Sequence, residues 1–270
     1  MPDTPKAGMP ELGAVTFQML GTALRRGIAD FRAAPLFGLV FAFVYVALGW
    51  VFGLVTWATG QSYWLVFAAV GFPLVGPFAA VGLYDVSRRF EQGRPLDLYQ
   101  FFGVVARQSK RQLPSICAII IMVFLFWFFL AHMIFALFMG LSTMTNVSSS
   151  FDIYLTPNGM TMLAVGSLVG GAFALLLYMI TVVSMPLLLD REVDFVSAMI
   201  ASFQTVAQNP LPMLAWAAMI AAVTFLAMLP WFLGLFVALP VLGHATWHLY
   251  DQIRDAGQGG GAAGGRQANS

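Results

Sequence analysis

The chain has 270 residues, of which 60% are hydrophobic and only 9% are charged, and its formal net charge at pH 7 is +1. Soluble domains carry about a quarter charged residues, so lipid is the expected solvent for most of this chain. Its 13 basic and 12 acidic residues argue against a nucleic-acid partner, and its single cysteine excludes an internal disulfide and a cysteine-based metal cluster.

Several apolar segments are long enough to cross a membrane as helices, which takes about 20 residues. Residues 1–11 are predicted to form a disordered N-terminus, residues 12–253 a six-helix transmembrane domain, and the Gly-rich residues 254–270 a disordered tail. The predicted spans are residues 35–57, 62–84, 114–140 and 161–189, followed by the stretch from Leu211 to Tyr250, which Pro230 divides into the last two.

The basic residues lie in alternate connecting segments. The N-terminus, residues 86–113, residues 190–210 and the C-terminus hold every Lys and Arg, whereas the loop of residues 141–160 carries only Asp152 as a charge. Positive charges mark the cytoplasmic side of a membrane protein. Six spans therefore place both ends of the chain in the cytoplasm.

Each pair of spans is preceded by an amphipathic stretch that ends in proline, a residue suited to the first turn of a new helix. The prediction is an all-α membrane protein with six transmembrane helices in three hairpins, each preceded by an amphipathic interfacial helix. The alternative is that prolines accumulate near the ends of membrane helices. The junctions end at Pro35, Pro114 and Pro212, and the apolar positions before them are Phe17, Leu20, Leu24, Ile28 and Phe31; Leu98, Phe101, Phe102 and Val105; and Val196, Met199, Ile200, Phe203 and Val206.

The second span of each pair carries a proline ahead of an aspartate at its charged exit. A unit repeated three times in this way predicts a helix bundle with approximate threefold order, and repeats are common in transporters. The pairs are Pro73 and Asp85, Pro186 and Asp190, and Pro240 and Asp251.

Two histidines and an aspartate near the end of the last span are the candidate metal ligands. His244, His248 and Asp251 share one helix face, and histidines one turn apart can chelate a metal. Metal sites usually take ligands from several elements, so the alternative is a set of interfacial polar residues. The remaining histidine, His132, lies deep in the third span, too far away to clamp one haem together with His244.

One dense basic region is the candidate contact with lipid headgroups. Each cation near an anionic membrane surface contributes on the order of 1 kcal/mol. The positive-inside rule alone also explains these charges. We expect no catalytic residue, no cofactor-binding residue and no cofactor. The basic residues are Arg88, Arg89, Arg94, Arg107, Lys110 and Arg111.

Two strings carry a resemblance to a known family: GFPLVGPFAAVGLYDVSRRFEQGRPLDL at residues 71–98 and LPVLGHATWHLYD at residues 239–251. Over residues 20–253 the chain resembles the bacterial integral-membrane family known as domain of unknown function 2189. The resemblance implies six spans in a bacterial inner membrane and no established activity. Some relatives are labelled cytochrome c oxidase subunit I, whose haem–copper core needs more histidine ligands than the three of this chain.

Three functions are open. The first is a non-enzymatic inner-membrane protein that organises the envelope or acts as partner to another membrane protein, which the absence of catalytic motifs favours. The second is a transporter or channel for a small or lipid-like substrate, although ion-coupled carriers usually hold charges at mid-membrane. The third is a metal- or haem-associated membrane protein acting through His244 and His248. The expected partners are the lipid bilayer and another membrane protein or a second copy of the chain, and no nucleic acid.

Overall fold

Helices make up nearly all of the described chain. The computed structural model describes the backbone of residues 6–60, 64–140 and 154–267, and the side chains of residues 7–60, 76–97, 103–140 and 154–259. The all-α prediction is confirmed, apart from a parallel pair of two-residue strands, β1 (Lys6–Ala7) and β2 (Arg191–Glu192). The helices are α1 (Phe17–Ala33), α2 (Pro35–Thr59), α3 (Trp64–Glu91), α4 (Leu98–Gln108), α5 (Leu113–Met139), α6 (Pro157–Thr181), α7 (Ser184–Asp190), α8 (Phe195–Gln208), α9 (Pro210–Met228) and α10 (Leu235–Gln267).

Four helical segments of the described chain are long and apolar enough to cross a membrane: α2, α5, the segment Pro157–Asp190 that joins α6 to α7, and α9. Large apolar side chains cover their outer faces; Phe129 of α5 is 70% exposed and Leu168 of α6 is 77% exposed. Such a surface is stable only when lipid covers it. The predicted second and sixth spans coincide with α3 and α10, which are not among these four segments.

Several helices begin where the sequence places a proline or a capping side chain. Pro35 is the first residue of α2, and Pro210 is the first residue of α9. The Thr16 side chain accepts a hydrogen bond from the backbone N–H of Met19 at the start of α1, which supplies one of the acceptors that a helix N-terminus lacks. The proline junctions therefore separate the preceding amphipathic helices from the apolar ones.

Helix α8 has the surface expected of a helix that lies on a membrane. Val196, Ile200 and Phe203 share one face and are exposed, whereas Ala198 and Ser202 on the opposite face are completely buried against the bundle. An exposed apolar stripe on a short helix at the end of a membrane bundle fits the lipid interface. The predicted apolar positions 98–102 of α4 have side chains outside the described set.

Helix α10 is the centre of the bundle and packs against α1, α2, α3, α7 and α9. Every residue from His244 to Asp251 is buried. The crossing with α1 is close because Gly27 has no side chain: a Cβ atom there would lie 2.7 Å from the backbone nitrogen of Ala245. Helix α2 approaches α10 equally closely: a Cβ atom on Gly38 of α2 would lie 2.6 Å from the Cβ atom of Pro240.

The long apolar stretch divides near Pro230, as predicted. Helix α9 ends at Met228 and α10 begins at Leu235, and Trp231 and Phe232 between them have positive φ angles of 52° and 66°. The Trp50 indole N–H donates to the Trp231 carbonyl at 3.0 Å and ties this turn to α2. The predicted loop of residues 141–160 is described only from residue 154 onward.

The segments next to the two predicted disordered ends contact each other. Helix α10 continues through the Gly-rich segment to Gln267, and the backbone N–H of Gly13 donates to the Ile253 carbonyl at 2.9 Å. The disorder of residues 1–11 and 254–270 stays a prediction. The outermost parts of both predictions, residues 1–5 and 268–270, lie outside the described residues.

Adding one methyl group at the α1–α10 crossing tests this packing. We expect Gly27→Ala to lower the free energy of unfolding by about 1–3 kcal/mol, because the new Cβ atom overlaps backbone atoms of α10. The matched control is Gly21→Ala on the same helix, where a Cβ atom meets nothing within 4 Å. Thermal unfolding of the purified protein in detergent measures both; equal melting temperatures for the two variants would contradict the close crossing.

Candidate functional site

Charged side chains collect where the ends of α3 and α7 meet the middle of α10. Asp85, Asp190 and Asp251, the three aspartates of the predicted repeat, are all buried there. A buried carboxylate is stable only with a partner, and each of the three has an arginine. The Asp85 carboxylate accepts from Arg89 at 2.6 Å, Asp190 accepts from Arg191 at 3.2 Å and from Arg254 at 3.3 Å, and Asp251 accepts from Arg254.

Arg254 connects these carboxylates. Its guanidinium donates to Asp190, Asp251 and Asp255 and lies 5.9 Å from the centre of the Tyr250 ring. The Tyr250 hydroxyl donates to Asp190 at 2.9 Å. Burial disfavours the charge on Arg254, but Asp251 and Asp190 outweigh it and raise the pKa of the guanidinium above its ordinary value. Arg254 is therefore a fixed positive charge.

His248 joins three helices through both of its ring nitrogens. The Nδ1 atom lies 3.0 Å from a carboxylate oxygen of Glu91 in α3, and the Nε2 atom lies 2.8 Å from a carboxylate oxygen of Asp30 in α1. The other oxygen of Glu91 accepts from the Trp247 indole at 3.0 Å. Because ionised carboxylates only accept hydrogen bonds, both ring nitrogens donate and the ring is an imidazolium. Asp30 and Glu91 stand in no motif, so the sequence carried no signal for this pairing.

His244 forms a different contact. Its Nδ1 atom lies 2.8 Å from the Ser87 hydroxyl, and both residues are 0% exposed. The Nε2 atom has no hydrogen-bond partner among the described residues. This buried pair connects α3 to α10.

The three candidate metal ligands share one face of α10, as predicted, but they bond to different groups. His248 contacts two carboxylates, His244 contacts Ser87, and Asp251 contacts Arg254. In the described part of the chain, no three His, Cys, Asp or Glu side chains come together to hold a metal ion. His132 stays apart from them on α5, where its Nδ1 atom lies 2.8 Å from the Phe128 carbonyl.

A polar cleft of about 610 Å³ opens beside these buried pairs. Five arginines and three carboxylates line it, so its lining carries a formal excess of two positive charges. The arginines come from α1, from α3 and the segment after it, from the end of α7, and from α10. The lining residues are Arg26, Arg88, Arg94, Arg191 and Arg254, with Glu91, Asp190 and Asp251, and with Gln92, Trp247 and Gln258.

The predicted basic region is divided by the fold. Arg88 and Arg94 line the cleft, whereas the other four residues lie outside its lining. Arg26, Arg191 and Arg254 complete the cleft from distant parts of the sequence, and only the tertiary fold brings them there. Of the predicted residues outside the cleft, Arg89 pairs with Asp85, Arg111 pairs with Glu192 at 3.4 Å, and Arg107 and Lys110 are exposed.

The other cavities are lined mainly by apolar side chains. One of about 260 Å³ lies between α2, α3, α9 and α10, and one of about 320 Å³ lies between α3, α5, α6, α7 and α9. A third, of about 880 Å³, lies between α5, α6 and α9, beside Trp127 and Phe225. Among the described residues, polarity is therefore concentrated at one end of the bundle.

Removing His248 tests the three-helix contact. We expect His248→Ala to lower the free energy of unfolding by about 3–5 kcal/mol, because it leaves two partly buried carboxylates without their cation. His132→Ala is the control, since that side chain is exposed and hydrogen-bonds the Phe128 carbonyl one turn earlier on its own helix. Unfolding measurements on both variants in detergent compare the two losses of free energy. A loss of the same size in the control would contradict the stabilising role of the His248 contact.

Asp251 gives the stability a defined pH dependence. Burial raises the pKa of its carboxyl to about 6, repulsion by Glu91 adds to the shift, and Arg254 opposes it. The folded state therefore binds the proton more tightly than the unfolded state, and stability is lost as pH rises from about 4 to about 6. We expect the unfolding free energy of the wild type minus that of Asp251→Asn to fall as pH rises across this window. Above about pH 7 this difference should be constant. A difference that rises with pH would be contrary to this assignment.

Comparison with known proteins identifies part of the chain. Residues 65–190 match the model of a family described as predicted integral membrane protein (DUF2189). No curated protein and no solved structure matches the chain. The match runs from the start of α3 to the end of α7 and includes the first of the two strings that carry the resemblance. Over residues 65–190, the chain is therefore similar to the DUF2189 family of predicted integral membrane proteins.

Proposed function

We propose that the chain is a six-span protein of the bacterial inner membrane with both ends in the cytoplasm. The four apolar helical segments of the described chain then cross the bilayer together with α3 and α10. The charge distribution supports this orientation. Arg26, Arg88, Arg191 and Arg254 belong to four separate basic segments, yet all of them line one cleft. Basic segments gathered at one end of a bundle fit the cytoplasmic side.

The function that the geometry supports best is non-enzymatic: a partner to another membrane protein, or an organiser of the envelope. The observation that carries this proposal is that the charged groups around the cleft are held by one another. Arg254 is held by Asp190 and Asp251, and His248 is held by Asp30 and Glu91. Catalytic acids and bases need access to a reacting group, whereas a fixed network of ion pairs gives a rigid surface for recognition.

One observation favours a transporter of a lipid-like substrate as the second candidate. The cavity of about 880 Å³ between α5, α6 and α9 is bordered by Trp127, Ile134 and Phe225 and suits an acyl chain better than an ion. An ion-coupled carrier would place charged side chains at this depth. Pro240, inside α10, also provides a point where the central helix can bend.

Reporter fusions test the topology. We expect a cytoplasmic reporter to be active at the C-terminus and inactive after residue 148 of the predicted outer loop, and a periplasmic reporter to give the opposite pattern. The same signal from both positions would overturn the arrangement of six spans with both ends inside. A fusion after Gln108, between the basic residues of the second predicted inner segment, is the internal control and should behave like the C-terminus.

Purification from native membranes tests the proposed role. We expect the tagged chain, extracted with its surrounding lipid, to retain a companion membrane protein in a fixed stoichiometry through washes at high salt. A chain that purifies alone, and that moves a labelled lipid across proteoliposomes, would reject the partner function in favour of transport. The Gly21→Ala variant, altered where a Cβ atom meets nothing within 4 Å, controls for effects of substitution itself.

A further inference from the structure

We propose that the arginine-lined cleft is a binding site for a phosphate group, either free or in the headgroup of an anionic phospholipid. This inference goes beyond the partner function and does not depend on it. The cleft holds about 610 Å³, which is within the range of ordinary ligand pockets of about 300–1,000 Å³.

The charge of the lining favours an anion. Its five arginines exceed its three carboxylates by two positive charges, which a phosphate with one or two negative charges would balance. Arg88 is only 8% exposed, and its guanidinium is held beside the cleft by a hydrogen bond of 3.4 Å to the Leu189 carbonyl. A cation that is nine-tenths buried at the wall of a cavity attracts an anion more strongly than an exposed one, because water screens it less.

The carboxylates in the lining do not compete for the whole set of arginines. Asp190 and Asp251 face Arg254, and Glu91 faces His248 and Trp247. Arg26 of α1, which also lines the cleft, forms no ion pair with any described residue. The lining acids are thus held by Arg191, Arg254, His248 and Trp247, and Arg26 keeps its charge for a ligand.

The chemistry of the donors selects phosphate among anions. An arginine presents a planar fork of N–H donors that matches two oxygens of a phosphate, and several forks around one cavity can bind several oxygens at once. Here the arginine side chains belong to α1, to α3, to the residue directly after α7 and to α10. A bound anion would therefore also connect elements that are distant in sequence. Binding should therefore raise the melting temperature as well as fill the site.

The source of the phosphate is left to experiment. The exposed apolar stripe of Val196, Ile200 and Phe203 on α8 places a membrane surface at this end of the bundle, which makes a lipid headgroup accessible. The cleft also faces the proposed cytoplasmic side, where free phosphate is accessible. Both sources present the same group to the same arginines.

Two probes and two matched variants test the site. The full-length protein in a zwitterionic detergent is titrated with inorganic phosphate by calorimetry, and its retention of phosphatidylglycerol against phosphatidylcholine is measured by native mass spectrometry. The cleft variant is Arg26→Gln with Arg94→Gln. The control is Arg107→Gln with Lys110→Gln, which removes two exposed charges from the same predicted basic region but outside the cleft lining.

We expect the wild type to bind at least one probe, the cleft variant to bind it about tenfold more weakly or worse, and the control variant to remain within about twofold of wild type. Binding of phosphate alone would identify a free anion, and binding of phosphatidylglycerol alone would identify a headgroup; either supports the site. The proposal is overturned if the wild type binds neither probe, or if the cleft variant binds as the wild type does. Arg26→Gln alone, which breaks no ion pair among the described residues, repeats the comparison should the double variant lower the melting temperature.

Discussion

The structure depends on the burial of a polar helix face at one end of the bundle. From His244 to Asp251, α10 is buried on all sides, although this stretch contains two histidines, a threonine and an aspartate. Polar groups removed from water need partners in the protein, and each partner fixes another helix. His244 requires Ser87 of α3, His248 requires Asp30 of α1 and Glu91 of α3, and Tyr250 requires Asp190 at the end of α7. These contacts position the amphipathic helix α1 and the ends of the apolar helices relative to one another.

The same contacts give the predicted repeat a physical reason. Asp85, Asp190 and Asp251 stand at the exits of the three predicted second spans, and all three are buried and paired with arginines at the same end of the bundle. A carboxylate at a helix exit places its arginine partner on the side where positive charge is retained during insertion. One set of residues can therefore specify both the orientation in the membrane and the packing of the helix ends.

The sequence predicted local features better than tertiary ones. Proline junctions, the division near Pro230 and the amphipathic character of α8 follow from backbone chemistry and periodicity, which neighbouring residues determine. The role of His248 does not, because its partners Asp30 and Glu91 lie far away in the chain and stand in no motif. For the same reason, the sequence singled out only some of the arginines that line the cleft. Arg88 and Arg94 belong to a basic run in the sequence, whereas Arg26, Arg191 and Arg254 are brought to the cleft only by the tertiary fold.

The separation of apolar and polar space indicates where this protein interacts with other molecules. Cavities between the apolar helices are lined mainly by side chains such as Trp127, Ile134 and Phe225, which lipid or a neighbouring helix can contact without loss of hydrogen bonds. The charged cleft has the opposite property: an anion that enters gains charge-assisted hydrogen bonds, and the ion pairs around it keep the arginines in place before it arrives. A preformed site loses little conformational entropy when a ligand binds to it. The cleft can therefore recognise an anion specifically even though it is open to water. The end of the bundle that holds the cleft is accordingly where substitutions should change function without removing the protein from the membrane.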